Sequence, residues 1–526
     1  MVYRGKPSAS CERCRSRRMR CDHGSPSCTQ CLRAKVQCPG YRDPLDLGFR
    51  DQNEEVIRRS QRSIPKRKLV TSRTTIEAVG PNVHRDSMVP SPQNTPDYPA
   101  HELARGYLFC HYMAGGPRGG HLSYLRPLVQ SPQSLAVNAA LDAVGMAALA
   151  NIRMSPRMML QARREYTTAL SQTNRALKDP LMSRRDDILA AVVLLGMFEV
   201  MACTDDSFID RWMKHMDGGA RLIEFRGPDQ LTRTEGLGIF TQLRAQISTS
   251  NLYQEKYNST IVADLTEKAK HYRDENDHVL DDLGLLVIRL SNFCAASKDG
   301  TITDPSEIIR TALKLDAELI ALFIDVPFPW DYRTVKVVDG EPIARLVLGP
   351  NYHVYHSLAA SSMWNNYRSA RILIHELIID TVNGLDSSEH DAARYQQREN
   401  LVDQSRQIVR QLVEDICASA PFHFGAGDTD DETPAVSRSE PTSLNTLTTH
   451  SVAPFDLTGA GGLTLVWPLL IAANSGTASF EQRQWITGCF DKIGHSMRIN
   501  QALAMAQLLR KGMNTRAWLT PEFGSP

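Results

Sequence analysis

Six cysteines, Cys11, Cys14, Cys21, Cys28, Cys31 and Cys38, fall within 28 consecutive residues of a 526-residue chain that has only 11 cysteines in all. Their spacing is C-x2-C-x6-C, a gap of six, then C-x2-C-x6-C, so one half-motif occurs twice. Thiolates in this pattern are soft ligands for a metal such as zinc, which takes four of them. Two separate tetrahedral ions need eight ligand positions, and six cysteines supply eight only if two of them bridge. The count therefore points to a two-metal cluster holding two Zn²⁺.

A disulfide framework is the competing chemistry. It calls for an oxidising compartment, and the stretch Met1–Ser10 has no apolar run to act as a secretion signal. The remaining cysteines, Cys110, Cys203, Cys294, Cys417 and Cys489, are scattered, sit in apolar contexts, and are expected to be reduced core residues. No stretch resembles a membrane span; the most apolar run noted, 188–197, is far shorter than the ~20 residues required.

Charge is divided unevenly. Residues 1–70 hold 17 Lys/Arg against 7 Asp/Glu, a net of +10 in a chain whose total is +1, which leaves −9 for the rest. A basic head on an acidic body predicts that the head alone meets a polyanion. The six thiolates with two Zn²⁺ sum to −2, so attraction for DNA must come from side chains. Between Cys14 and Cys21 stand Arg15, Arg17, Arg18 and Arg20. A metal-clamped helix of under two turns there could present guanidinium groups to the major groove, where arginine bonds guanine O6 and N7 together, while other basic residues hold phosphates. The second half carries only Arg33 and Lys35.

On these residues, 11–38 resemble the fungal zinc binuclear cluster (Zn₂Cys₆) DNA-binding domain. The resemblance covers all six cysteines, the basic run after Cys14, the pair Cys21-Asp22, and Pro26 in the connecting loop. It implies that Cys11 and Cys28 bridge the two metals, that Cys14 and Cys21 complete one site, and that Cys31 and Cys38 complete the other. It further implies that Arg17 and Arg18 approach bases at CGG-type triplets, with Arg15 and Arg20 nearer phosphate. Family members usually carry lysine where Arg18 stands; arginine is a wider, planar donor.

The elements that must carry this head divide the chain into a cluster domain at 9–40, a basic and largely disordered linker at 41–100, and an all-α body at 101–515 interrupted by a disordered loop at 422–456. Lys66-Arg67-Lys68, with Arg58, Arg59 and Arg62, is a candidate nuclear localisation signal. No heptad pattern is sustained behind the cluster, so pairing through a coiled coil there is not expected. Helical patterns cover 135–150, 156–177, 188–200, 208–225, 279–293, 306–324, 352–382, 392–417, 463–474 and 480–509. A small hairpin is expected over 332–348, from Thr-Val-Lys-Val-Val through Asp-Gly to Ala-Arg-Leu-Val-Leu. The fold class is thus mainly α. The stretch Trp212-Met213-Lys214-His215 through Gly219-Ala220 to Arg226-Gly227 resembles one branch of the fungal-specific transcription factor domain, which implies a regulatory body.

Enzyme readings find little to stand on. No G-x-S-x-G, H-E-x-x-H, P-loop or G-x-G-x-x-G occurs. His353, His356 and the pair His375-Glu376 lack ligand spacing. His215 reads as a packed helix histidine, and Trp212, Trp330, Trp364, Trp467 and Trp485 as core. The expected function is a nuclear, sequence-specific regulator of RNA polymerase II transcription, not an enzyme. Its partners are double-stranded DNA, the transcription machinery and a second copy through the helical body, with no membrane. The alternatives are a DNA-binding scaffold or repressor without activation function, or an enzyme with a zinc-cluster appendage.

Overall fold

The computed structural model describes residues 10–39 apart from 18, 23 and 25, and residues 99–114, 120–129, 134–202, 208–338, 340, 342–385, 392–426 and 459–512. The chain forms two compact units, residues 1–94 and 95–526. The expected linker over 41–98, its basic cluster and the 427–456 part of the expected loop lie outside the described residues.

Among its described residues the first unit holds two one-turn helices, α1 (Glu12–Ser16) and α2 (Thr29–Arg33). Its core consists of sulfur. Cys11, Cys14, Cys21, Cys28 and Cys31 are its buried residues, with Met19 and Cys38 partly buried against them, while Leu32 and Val36 are exposed. A unit this small, with no aliphatic core, needs a metal to fold.

The second unit is helical. Its longer elements are α3 (Ala100–Leu108), α4 (Leu135–Ile152), α5 (Pro156–Leu177), α6 (Asp186–Ala202), α7 (Phe208–Arg226), α8 (Thr234–Gln254), α9 (Thr260–Ala269), α10 (His278–Lys298), α11 (Pro305–Phe323), β1 (Tyr332–Lys336), β2 (Asn351–Tyr355), α12 (Leu358–Asn383), α13 (Ala392–His423), α14 (Gly459–Asn474), α15 (Phe480–Ser496) and α16 (Asn500–Arg510). Local signals set several of these ends. Ser155 caps α5 by accepting from the Met158 N–H at 3.3 Å, ahead of Pro156 at the first position. Ser479 and Gln482 form a reciprocal capping box on α15.

Apolar helices sit at the centre. Every residue of α6 from Asp187 to Ala202 is buried, so this helix is surrounded by protein on all sides. Helix α4 is long and apolar enough to cross a membrane by length and composition, which corrects the expectation that no stretch would pass; 72% of it is buried and it packs among α3, α5 and α6 as a core helix. Its Gly145 lets α3 approach closely, because a Cβ there would lie 2.5 Å from the Ala104 carbonyl oxygen.

Buried charges each find a partner. Arg368 of α12 is fully buried, donates to the Tyr355 hydroxyl at 2.7 Å and to Asn365 Oδ1 at 3.0 Å, and lies over the rings of Tyr332 and Trp364. The two-stranded sheet thus serves as an aromatic cover for one guanidinium. His375 bonds Ser405 and faces Asp316, which also pairs with Arg371, so it belongs to the packing. Trp330 donates to Asp277 at 3.0 Å and Trp364 to the Trp330 carbonyl at 2.7 Å. Trp485 packs partly buried against the same core.

Several expectations are corrected. The second hairpin strand is 351–355, paired antiparallel with β1 from Tyr332 opposite Tyr355 to Lys336 opposite Asn351; 342–346 is instead a 3₁₀ turn. Alternating Tyr-His-Val-Tyr resembles the start of a helix only because Leu358 follows closely. The pattern over 480–509 splits into α15 and α16 at Arg498, whose φ is +65°. Helix α13 runs on to His423, and Phe422, Phe424 and Ala426 are buried, so 422–426 belong to the core. Helices α3, α8 and α9 were not expected; polar and small residues blur the periodicity of α8, whereas α3 and α9 are short amphipathic helices. Leu160 and Leu177, expected on the apolar face of α5, are exposed; that helix buries Ala162, Ala169 and Thr173. Cys110 is exposed and Cys294 half-buried, whereas Cys417 and Cys489 are buried, with burial pushing the Cys417 thiol up to about 12.

Burial beside Arg368 pulls His353 down to about 3, so it is neutral in the fold. An unfolded histidine protonates near pH 6.5. Its contribution is therefore full above pH 6.5 and is lost as pH falls toward 3, at about 1.4 kcal/mol per pH unit. Thermal unfolding of the full chain followed by circular dichroism should show the melting temperature falling from pH 6.5 downward, and H353N should flatten that slope.

Candidate metal centre

Each half of the first unit is built the same way. A leading cysteine is followed by one helical turn that carries the second, and an extended segment returns the third. The repeat is visible in the backbone: the Met19 N–H donates to the Cys14 carbonyl at 2.8 Å, and the Val36 N–H, at the equivalent position, to the Cys31 carbonyl at 3.1 Å. Lys35 turns the second half out of its helix with φ +54°.

The sulfurs converge. Cys11 and Cys28 Sγ are 3.7 Å apart, Cys11 and Cys31 3.9 Å, and Cys14 and Cys28 3.7 Å. These separations are far beyond a sulfur–sulfur bond of about 2.05 Å. They match the edge of a tetrahedron built on Zn–S bonds of about 2.3 Å, which is ~3.8 Å. Two groups of four thiols form, one from Cys11, Cys14, Cys21 and Cys28, the other from Cys11, Cys28, Cys31 and Cys38, each within 4.8 Å. Cys11 and Cys28 are common to both. The donor set, all sulfur and nearly all buried, fits two zinc ions. Without metal, burial and the neighbouring thiols push Cys14 well up and Cys31 up to about 12, so binding must release protons.

Asp22 holds the halves together, a role the sequence reading passed over. Its carboxylate accepts the Thr29 N–H at 2.9 Å and also bonds the Thr29 hydroxyl, capping α2 from the other half. Arg13 reaches across to the Gln30 carbonyl at 3.4 Å. An acidic residue directly after Cys21, a short loop ahead of the next helix start, was the available signal. Of the arginines singled out, Arg17 and Arg20 are exposed, Arg15 falls within α1, and Arg18 lies outside the described residues.

Residues 9–47 match the fungal Zn(2)-Cys(6) binuclear cluster domain, and residues 108–264 match the fungal specific transcription factor domain. The chain is a DNA-binding regulator of transcription, and its cofactor is a pair of zinc ions. Among curated proteins it is similar to transcription factor dbaG of Emericella nidulans, with 24% identity over 433 residues that span 80% of this chain and 94% of the relative. No solved structure matches it.

The matched 108–264 segment contains the Trp212–Gly227 stretch, and its contacts explain that pattern. Arg226 is buried and ion-pairs with Asp186, which also takes Arg233 Nε at 2.6 Å. Gly227 ends α7 with φ +66°, a conformation that suits glycine. His215 bonds the Tyr166 hydroxyl at 3.2 Å, and burial holds its pKa down; Tyr166 donates to Glu199 at 2.6 Å. His215 is thus part of the helix packing, as expected.

Metal analysis of the full chain should give about two zinc per molecule. Removing them with a strong chelator should abolish the helical signal of α1 and α2, since one-turn helices do not persist alone; amide exchange in residues 10–39 that stayed slow after chelation would contradict this.

Proposed function

We propose that Cys11 and Cys28 bridge two Zn²⁺, with Cys14 and Cys21 completing one site and Cys31 and Cys38 the other. The single observation that carries this reading is the pair of four-thiol groups sharing Cys11 and Cys28. When bound, the zinc ions supply the cross-links that a hydrophobic core would supply elsewhere. The cluster domain at 9–40 then presents Arg15, Arg17, Arg18 and Arg20 to the major groove. Arg17 and Arg18 read bases of CGG-type triplets, and Arg15 and Arg20 hold phosphates. The protein acts in the nucleus on RNA polymerase II promoters, as a regulator and not as an enzyme. A body at 101–515 contacts the transcription machinery and pairs with a second copy.

Two experiments test the reading. C28S should lose more than one zinc per chain, whereas C21S should retain about one; equal losses would reject a shared ligand. Selection of the full chain on random DNA should return CGG-like triplets. R18A should then cost ~1–3 kcal/mol at one base position, and a uniform loss across all sequences would make Arg18 a phosphate contact instead.

A further inference from the structure

The helical unit contains a cavity of about 420 Å³, within the range of small-molecule sites. It lies among α6, α7, α8, α10, α12 and α14, and its walls are mostly apolar. Trp212 and Trp467, expected as plain core, meet at 5.3 Å with their rings tilted by 33°, and both line this space. Met216, Met363 and Leu283 add further apolar wall.

Set into these walls are polar groups the fold leaves unused. Ser248 and Gln501 are almost fully buried, and Ser248 Oγ, Gln501 Nε2 and Ser362 Oγ have no hydrogen-bond partner. Packed interiors seldom leave several such atoms along one wall. The charges there do not balance either. Arg244 and Arg273 are the only charged side chains lining the cavity among the described residues, and they share a single carboxylate. Asp281 takes Arg244 Nη1 at 2.6 Å and Arg273 Nε at 2.8 Å. Asp282, the neighbouring acid, is paired with Lys270. One cationic charge therefore remains in an apolar, water-poor wall, where charge is costly to leave unmatched. Burial already lowers the Arg244 pKa in spite of Asp281.

We propose that this cavity binds a small amphipathic acid, an aromatic or polycyclic body bearing one carboxylate. The ring system packs against the Trp212–Trp467 pair from the cavity side, the carboxylate meets the free edge of the Arg244–Arg273 pair, and Ser248, Ser362 and Gln501 take up its other polar groups. Binding itself is independent of DNA recognition. That it would tune transcription rests on the reading of this chain as a regulator.

Calorimetric titration of the full chain with 2-naphthoate and with 2-naphthamide separates body from charge. The acid should bind at least about tenfold tighter than the amide, because it gains a charge-assisted contact. R273Q, which leaves Arg244 and Asp281 as a matched pair, should shrink that preference to within about threefold while the amide binds as before. A245F, on the cavity wall of α8, should abolish both. Failure of the acid to bind, equal binding of acid and amide by the parent protein, or binding undiminished in A245F would each overturn the proposal. Loss of DNA selection in the separate experiment above would reject the regulator reading and leave these titrations unaffected.

Discussion

Eight coordination positions and six sulfurs set the terms for the head of this molecule. The described residues of 10–39 bury no aliphatic side chain, so metal must be the principal tie that holds α1 and α2 in register. The sharing of Cys11 and Cys28 between two groups of four thiols ties the halves together, and Asp22 capping α2 across the same junction reinforces it. The cluster carries net negative charge, so the same constraint pushes DNA attraction onto the arginines that decorate it. Structure and recognition are separated within one small unit: sulfur fixes the shape and guanidinium meets the polyanion.

The body solves a different problem. It has ample apolar surface to bury, and its helices α4 and α6 are enclosed on nearly every side. What needs explanation there is polar. Arg368 under its aromatic sheet, Asp316 between Arg371 and His375, and Asp186 between Arg226 and Arg233 are buried charges that each meet polar or charged partners. Such pairs do little for net stability but penalise any packing that separates them. The Arg244–Asp281–Arg273 trio has the same two-to-one arrangement as Asp186 with its two arginines, and it differs in lining the cavity.

The cysteine arrangement was legible in the sequence because metal ligation imposes spacing directly, and the same spacing is visible as repeated backbone bonds after Cys14 and Cys31. Strongly apolar helices such as α4 and α6 were legible for the same kind of reason: composition alone places them inside. The hairpin partner was not, since 351–355 and 344–348 both carry β-forming residues and only tertiary cover over Arg368 selects the former. Helix α8 escaped notice because its buried face mixes Gly236, Arg244, Ser248 and Ser250 with aliphatic residues. Two of these residues, Arg244 and Ser248, also line the cavity. Asp22 was read as part of a pattern; its work as a cap between halves depends on a fold the pattern does not spell out.

The central claim is that two zinc ions share thiolates in one cluster. X-ray absorption at the zinc edge of the full chain tests it most directly. The account predicts an all-sulfur first shell at about 2.3 Å together with a zinc–zinc vector of roughly 3 Å. Nitrogen or oxygen in the first shell, or a sulfur shell with no short metal–metal vector, would contradict it.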